Sequence, residues 1–315
     1  MNYYFITRIH HFSVKKVLNN GMKIVNNLRL SNGSRIINSF FSNDDFITSI
    51  GTLEYNHICS GEYIYSINDS DCLQGSDGSG FLNQQLKLVQ LFSNCLWLIK
   101  DNSVNNELGF LLEVDKNPIK IYSNQMSAMF VNASGERLDV QFTEEEVKKS
   151  VELVELLFEL YNLDSSKTTP GMYREANRIH RFFYFLQGAR TQNFLPNRIA
   201  LYCTMLETLL STDSIEISHK ISERTSKIIE KTLDKRQECF DIIKNAYSVR
   251  SASVHGDNLP KKFRNKDKLK ELSVDLDDIL RRLIYSIIND KEMLNMYKLD
   301  NKNDLNNWFL ELTLK

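Results

Sequence analysis

The 315-residue chain is poor in the features that most readily declare a function. Its five cysteines, Cys59, Cys72, Cys95, Cys203 and Cys239, are odd in number and scattered. They form no CxxC pair and no Cys/His cluster at zinc spacing, which argues against a disulfide scaffold or a structural zinc site and leaves reduced, mostly structural thiols. No stretch approaches the roughly 18 apolar residues of a membrane span. The opening MNYYFITRIHHFS has neither a charged leader nor an apolar run of signal-peptide type, so a cytoplasmic location is expected. A formal net charge of -1 gives no global attraction to nucleic acid, and any such role must rest on a local patch. There is no P-loop, no Rossmann glycine pattern and no Ser/His/Asp elbow, so no cofactor or metal is expected.

What is present suits an ordinary globular protein: 42% hydrophobic, 25% charged and 10% aromatic residues. The length favours two domains, because single cores stop growing beyond roughly 250 residues. Over the first 80 residues YYFITRI, KIVNNLRL, SRIINSFF, FITSIGTLEY and GEYIYSI are β-branched and aromatic runs separated by turn residues, which predicts strands in a sandwich or curled sheet. The Asp69–Gly80 stretch reads as a loop. FLNQQLKLVQLFSNCLWLIKD has helical spacing and predicts one long helix against that sheet. GFLLEV, PIKIYS, AMFVN and LDVQF predict further strands, with turns at Asn117-Pro118 and Ser134-Gly135.

After Thr143 the period changes. Thr143 and Glu146 match a capping box and open a linking helix, and DSSKTTPG, Asp164 to Gly171, is the best boundary. Helices are expected at about 172–190, 195–211, 216–231, 235–253 and 266–290, followed by a short one in DLNNWFLELTL. Only Pro260 interrupts the chain after residue 200. The fold class is therefore α+β: a β-rich mixed N-terminal domain over 1–143, a linking helix and linker over 144–170, an all-α helical bundle over 171–292 and a C-terminal helical extension over 293–315. Between Glu216 and Lys270 fourteen Lys/Arg stand against eight Asp/Glu, an excess of six positive charges. Such runs are more often a solvated helical face than a binding surface.

YSVRSASVHGD, from Tyr247 to Asp257, is the most unusual segment. Positions five apart lie about 140° apart around a regular helix, so Arg250 and His255 diverge if one helix runs through both. Gly256 and Pro260 stop such a helix, which puts His255 in its last turn or just beyond, free to swing toward Arg250. The pair suits phosphodiester chemistry: a neutral imidazole takes a proton from a ribose hydroxyl while a guanidinium holds phosphate oxygens through a bidentate fork. Blander readings pair Arg250 with Asp241 or Asp257 and make His255 a helix-end cap. A second spacing, Arg174 with His180 in MYREANRIHRFF, is assigned to structure because it sits inside an unbroken helical pattern. Glu207, which interrupts the apolar MLETLL, reads as a packed, hydrogen-bonded acid between helices. His10, His11 and His57 read as ordinary.

This segment resembles the R-x4-6-H motif of the HEPN superfamily, and an aromatic followed by RSxxVHG is similar to its Apea-like branch, which is associated with bacterial anti-phage defence. RIALYCTMLETLLSTDSIEISHKISERTSKII, Arg198 to Ile229, resembles that branch's LExLL helix, polar joint and following helix with a mid-helix ER. The resemblance covers about residues 170–292. LWLIKDNSV also resembles N-terminal regions fused to such domains. It implies a homodimer in which two R-x4-H motifs face each other in one metal-independent RNA-cleaving site, with His255 the general base and Arg250 stabilising the phosphate. Ser251 matches the family's small polar residue after the Arg, and Tyr247 is a candidate for stacking on a base, although a place in the core is the commoner reading of such a tyrosine. Arg224, His219, Lys261 and Lys262 are candidate RNA-binding residues. The expected function is an endoribonuclease toxin or defence effector acting on RNA, with tRNA one candidate, and restrained or triggered through the N-terminal domain by a phage-derived factor or a regulatory protein. The alternative is a non-catalytic HEPN module that dimerises or binds RNA or a partner.

Overall fold

A computed structural model describes residues 2–69, 77–125, 129–161, 177–299 and 301–314. Most of the expected 69–80 loop, the 164–171 boundary, Cys72 and Arg174 lie outside them. The architecture is α+β, β-rich first and helical after, and the chain forms two compact units. One comprises residues 1–129 and 137–166, the other residues 130–136 and 167–315.

The first unit is built on a six-stranded antiparallel sheet. Its strands are β1 (Asn2–His10), β3 (Met22–Val25), β4 (Leu28–Ser31), β5 (Tyr63–Asp69), β6 (Asn105–Glu113) and β7 (Lys120–Gln125), in the order β3-β4-β5-β1-β6-β7. Two further strands, β2 (Phe12–Val14) and β8 (Val140–Phe142), pair in parallel. β1 is central and buried on both faces. Phe5 and Ile6 are both fully buried, one toward each side.

One face is covered by α4 (Gly78–Ile99), the long helix expected from its apolar spacing. Gly109 lets it seat, since a Cβ there would stand 2.7 Å from Leu86 Cδ2. Short helices cover the other face: α1 (Ser34–Ile36) running into a π turn (Ile37–Phe41), α2 (Asp44–Ile50) and α3 (Thr52–Cys59). Their Phe41, Phe46 and Ile58 join Ile6, Tyr63, Tyr65, Phe110 and Leu112 in one cluster. This corrects the expectation of strands in SRIINSFF and FITSIGTLEY. Asn43 caps α2 by accepting from the Asp45 and Phe46 N–H groups, and the sheet's second apolar face had to be covered by something other than another strand. α5 (Glu144–Tyr161) packs on α4 and opens with the expected capping box: Thr143 N–H donates to Glu146 Oε2 at 2.8 Å and Glu146 N–H to Thr143 Oγ1 at 3.1 Å.

The second unit contains α6 (Arg178–Arg190), α7 (Leu195–Leu210), α8 (Ile217–Ile229), α9 (Leu233–His255), a 3₁₀ turn (Lys261–Arg264), α10 (Lys266–Asn289), α11 (Lys291–Leu299) and α12 (Lys302–Leu314). α7 is central and touches α6, α8, α9 and α10. The terminal helices belong to the same body: Tyr297 Oη donates to the Leu209 carbonyl, and Lys227 Nζ to those of Leu312 and Thr313. Among the described residues no helix is long and apolar enough to cross a membrane.

The AMFVN segment is not a strand where described. Residues 130–136 instead form a strap in the helical unit, closed by the expected Ser134-Gly135 turn with Gly135 at φ +84°. Its backbone is satisfied without a ladder: Val131 N–H donates to the Arg190 carbonyl, the turn closes on itself through Asn132 and Glu136, and side chains meet carbonyls of the strap. Arg198, fully buried, donates to the carbonyls of Asn132, Val131, Arg190 and Gln192. Arg190 stacks on Phe130 at 4.1 Å, and Ser273 Oγ donates to the Ala133 carbonyl at 2.6 Å.

Two consequences are measurable. Arg198→Met keeps the aliphatic volume but strands buried carbonyls, each costing about 1–3 kcal/mol, so urea unfolding followed by helical signal should shift by about 3 kcal/mol, with new proteolytic cleavage near 129–137. In the sheet unit, burial pulls His10 down to about 4 from 6.5, with the nearby His57 adding to the effect. The unfolded chain then protonates first, so the stability present above pH 6.5 is lost as pH falls toward 4. Thermal midpoints of His10→Gln should fall less steeply across that window than those of the wild type.

Candidate functional site

α9 begins at Thr232, whose side chain accepts from the Lys235 N–H, and runs unbroken through Arg250 to His255. Gly256 ends it in the left-handed region, φ +76°, and the Gly256 and Asp257 N–H groups both close on the Ala252 carbonyl. A regular helix through both residues turns Arg250 and His255 about 140° apart. The side chains have different surroundings accordingly. His255 is exposed, with no side-chain hydrogen bond among the described residues. Arg250, 36% exposed, turns toward α7, where its Nη2 lies 3.4 Å from Glu207 Oε1 and 3.5 Å from Oε2. Neither Asp241 nor Asp257 is its ion-pair partner, contrary to the blander reading.

Glu207 is held between the helices as its place in MLETLL indicated. It also accepts the Tyr247 hydroxyl at 3.0 Å, and Arg250 Cζ lies 5.7 Å from the centre of the Tyr247 ring. Tyr247 and Arg250 share a face because they are three residues apart on α9. Burial, with the Glu207 carboxylate beside it, pushes the Tyr247 phenol far above its ordinary range. Tyr247 is only 9% exposed, which agrees with its core reading and speaks against base stacking: its ring is packed and its hydroxyl committed. Ser251 is exposed beside Arg250 in sequence, and among the described residues no hydrogen bond ties it to the imidazole.

Arg224 is likewise corrected. Its guanidinium is buried, donates to the Leu210 carbonyl at 2.5 Å and to Thr212 Oγ1 at 3.2 Å, and lies over the Phe309 ring at 4.2 Å. It holds α8 to the α7 terminus and α12, a structural role in place of the solvent-facing one expected of an RNA-binding cation. His219 is exposed and meets Phe240 edge to face at 5.3 Å.

Much of the positive charge in this stretch is internally compensated: Lys220 with Asp213, Lys227 with Glu223, Lys235 with Glu238, Lys268 with Glu271 and Lys270 with Glu136. Lys261 and Lys262 are different. They are exposed on the 3₁₀ turn that follows α9, anchored by buried Phe263, and make no ion pair among the described residues. Sequence reasoning passed over the exposed Arg264 and Lys266 beside them, although KKFRNK carries the signal plainly. The buried Cys203 thiol, one turn before Glu207 on α7, is pushed well up by burial and stays neutral, as does Cys239, raised to about 12 for the same reason.

No family model, curated protein or solved structure matches this chain.

The end of α9 offers a direct test. A Cβ at Gly256 meets no neighbouring atom, so Gly256→Ala costs only the left-handed backbone, about 1–2 kcal/mol. Gly256→Asn should cost less than Gly256→Ala in thermal unfolding, and amide exchange at residues 253–256 should speed up in the same order.

Proposed function

We propose that this protein is a metal-independent endoribonuclease of the HEPN kind, working in the cytoplasm as a toxin or anti-phage effector. The observation that carries the reading is the end of α9. An exposed imidazole with no hydrogen-bond partner among the described residues stands at the last helical residue, and a half-exposed guanidinium stands five residues before it. A base must be unencumbered to accept a proton, and a phosphate-binding fork must show some of its N–H groups to solvent.

In this scheme His255 takes the proton of a ribose 2′-hydroxyl, and the 2′-oxygen attacks the adjacent phosphorus. The bond to the 5′-oxygen breaks, that oxygen takes up a proton, and the products end in a 2′,3′-cyclic phosphate and a 5′-hydroxyl. Arg250 neutralises the negative charge that gathers on the phosphate oxygens. The divergence of the two side chains around α9 favours a site shared by two copies, as the HEPN resemblance implies, in which the motifs of both chains line one cleft. Lys261 and Lys262 supply backbone contacts to RNA, for which tRNA is one candidate, while the N-terminal unit receives a phage-derived trigger or a regulatory protein.

The second reading, a non-catalytic helical module that dimerises or binds RNA or a partner, draws on one observation: Arg250 has a carboxylate partner of its own, Glu207. One incubation separates the two. Purified protein is mixed with total tRNA in EDTA, beside Arg250→Ala and His255→Ala, and fragment ends are analysed. The enzyme reading expects 2′,3′-cyclic phosphate ends from the wild type, with each substitution lowering the rate by about 10²–10⁴. Equal fragment patterns from all three proteins would overturn it, and tRNA binding without cleavage would favour the module.

A further inference from the structure

Arg side chains are long, and one at a helix surface samples many rotamers unless something holds it. Arg250 is held from two directions. On its own helix, Tyr247 lies one turn back, with the ring centre 5.7 Å from the guanidinium carbon. From the facing helix, Glu207 presents both carboxylate oxygens to Nη2 at 3.4 and 3.5 Å. Glu207 is itself fixed, because the Tyr247 hydroxyl donates to its Oε1 at 3.0 Å. The arrangement closes on itself: the phenol orients the carboxylate, the carboxylate orients the guanidinium, and the guanidinium lies against the phenol ring.

We infer that Glu207 and Tyr247 form a brace that fixes the rotamer of Arg250, so that Glu207 is a positioning residue for the guanidinium and Tyr247 is the donor that fixes Glu207. Three features support a positioning role over packing alone. Glu207 is a single charge in an otherwise apolar run, flanked by the buried Met205, Leu206, Leu209 and Leu210, where a leucine would bury more apolar area. Its side chain is 20% exposed, so the pair lies at the rim of the core, where the guanidinium keeps its remaining N–H donors available. Tyr247 remains protonated across the accessible pH range and so donates throughout. A planar fork set in one orientation meets a phosphate with less ordering left to do at the moment of reaction.

The brace stands apart from any activity, while its catalytic consequence rests on the ribonuclease reading. Two measurements on the full chain keep these separate. In protein carrying ¹⁵N-labelled arginine, the Arg250 guanidinium signals, assigned by their loss in Arg250→Lys, should be resolved and slow to rotate. They should collapse toward the averaged pattern of an exposed arginine in Glu207→Gln and Tyr247→Phe. Averaged Arg250 signals in the wild type, or signals indifferent to both substitutions, would overturn the brace whether or not the protein cuts RNA.

In the tRNA assay, Glu207→Gln should lower kcat by about 10–100-fold with KM changed by less than about threefold. Adding Glu207→Gln to Arg250→Ala should lower the rate by less than about twofold further, because the residue it positions is gone. A full additional loss in that background would show Glu207 acting through the general fold and would overturn the positioning role. An inactive wild type with rigid Arg250 signals would sink the ribonuclease reading and leave the brace standing.

Discussion

A charged guanidinium with no access to water holds the helical unit together. Arg198 is fully buried, and its four hydrogen-bond partners are all backbone carbonyls, those of Val131 and Asn132 in the strap and of Arg190 and Gln192 at the turn between α6 and α7. A buried cation is tolerated only where its donors are met, and a buried carbonyl only where it is paired. Each side of this contact therefore makes the other admissible. With the strap seated, Phe130 has the Arg190 guanidinium over its ring, Ala133 has the Ser273 hydroxyl, and Glu136 has Lys270, so α6, α7 and α10 all meet the same seven residues. The position of α7 follows from this, and with it the position of Glu207 on the same helix.

The sequence reading succeeded wherever a side chain acts on its own neighbourhood. Thr143 and Glu146 announce a capping box by spacing alone, and the box is there. Gly256 announces a helix end, and its left-handed backbone closes α9. The apolar period of α4 needs no partner to be visible. The reading went astray where tertiary structure overrode local preference. Residues 34–59 are rich in isoleucine, phenylalanine and threonine, which favour strands in general, yet the second face of the sheet recruited them as short helices. AMFVN has the composition of a strand, and nothing in it reveals that arginines about 60 residues downstream take the place of a neighbouring strand. Arg224 looked like a surface cation because sequence does not show that Phe309 and the end of α7 close over it.

At the candidate site the legible part was the motif and the illegible part was its orientation. Arg250 and His255 were identifiable from residue type and spacing, and His255 stands in the last turn of α9 as Gly256 and Pro260 indicated; what spacing did not reveal is that the helix stays regular up to that residue instead of letting it swing toward Arg250. The small residues between them, Ser251, Ala252 and Ser253, do not release the chain, because the Gly256 and Asp257 amides still tie the last turn to Ala252. Electrostatically, the result divides the motif into an inner charge neutralised by a carboxylate and an outer group facing solvent. The exposed Lys261 and Lys262 of the following turn lie close in sequence to the outer group.

The chain passes between its two compact units three times, at 129–130, 136–137 and 166–167. A protein joined by a single linker can exchange one half for another by recombination at that joint. Here the seven residues that complete the helical interior are encoded upstream of α5, inside the stretch that otherwise builds the sheet unit. An N-terminal half inherited from elsewhere would arrive without Val131, Asn132 and Ala133, and Arg198 would be left with half of its acceptors. Recombination at a joint between α5 and α6 would therefore separate Arg198 from two of its carbonyl acceptors, whereas exchange of sheet-unit residues outside 130–136 leaves that contact intact.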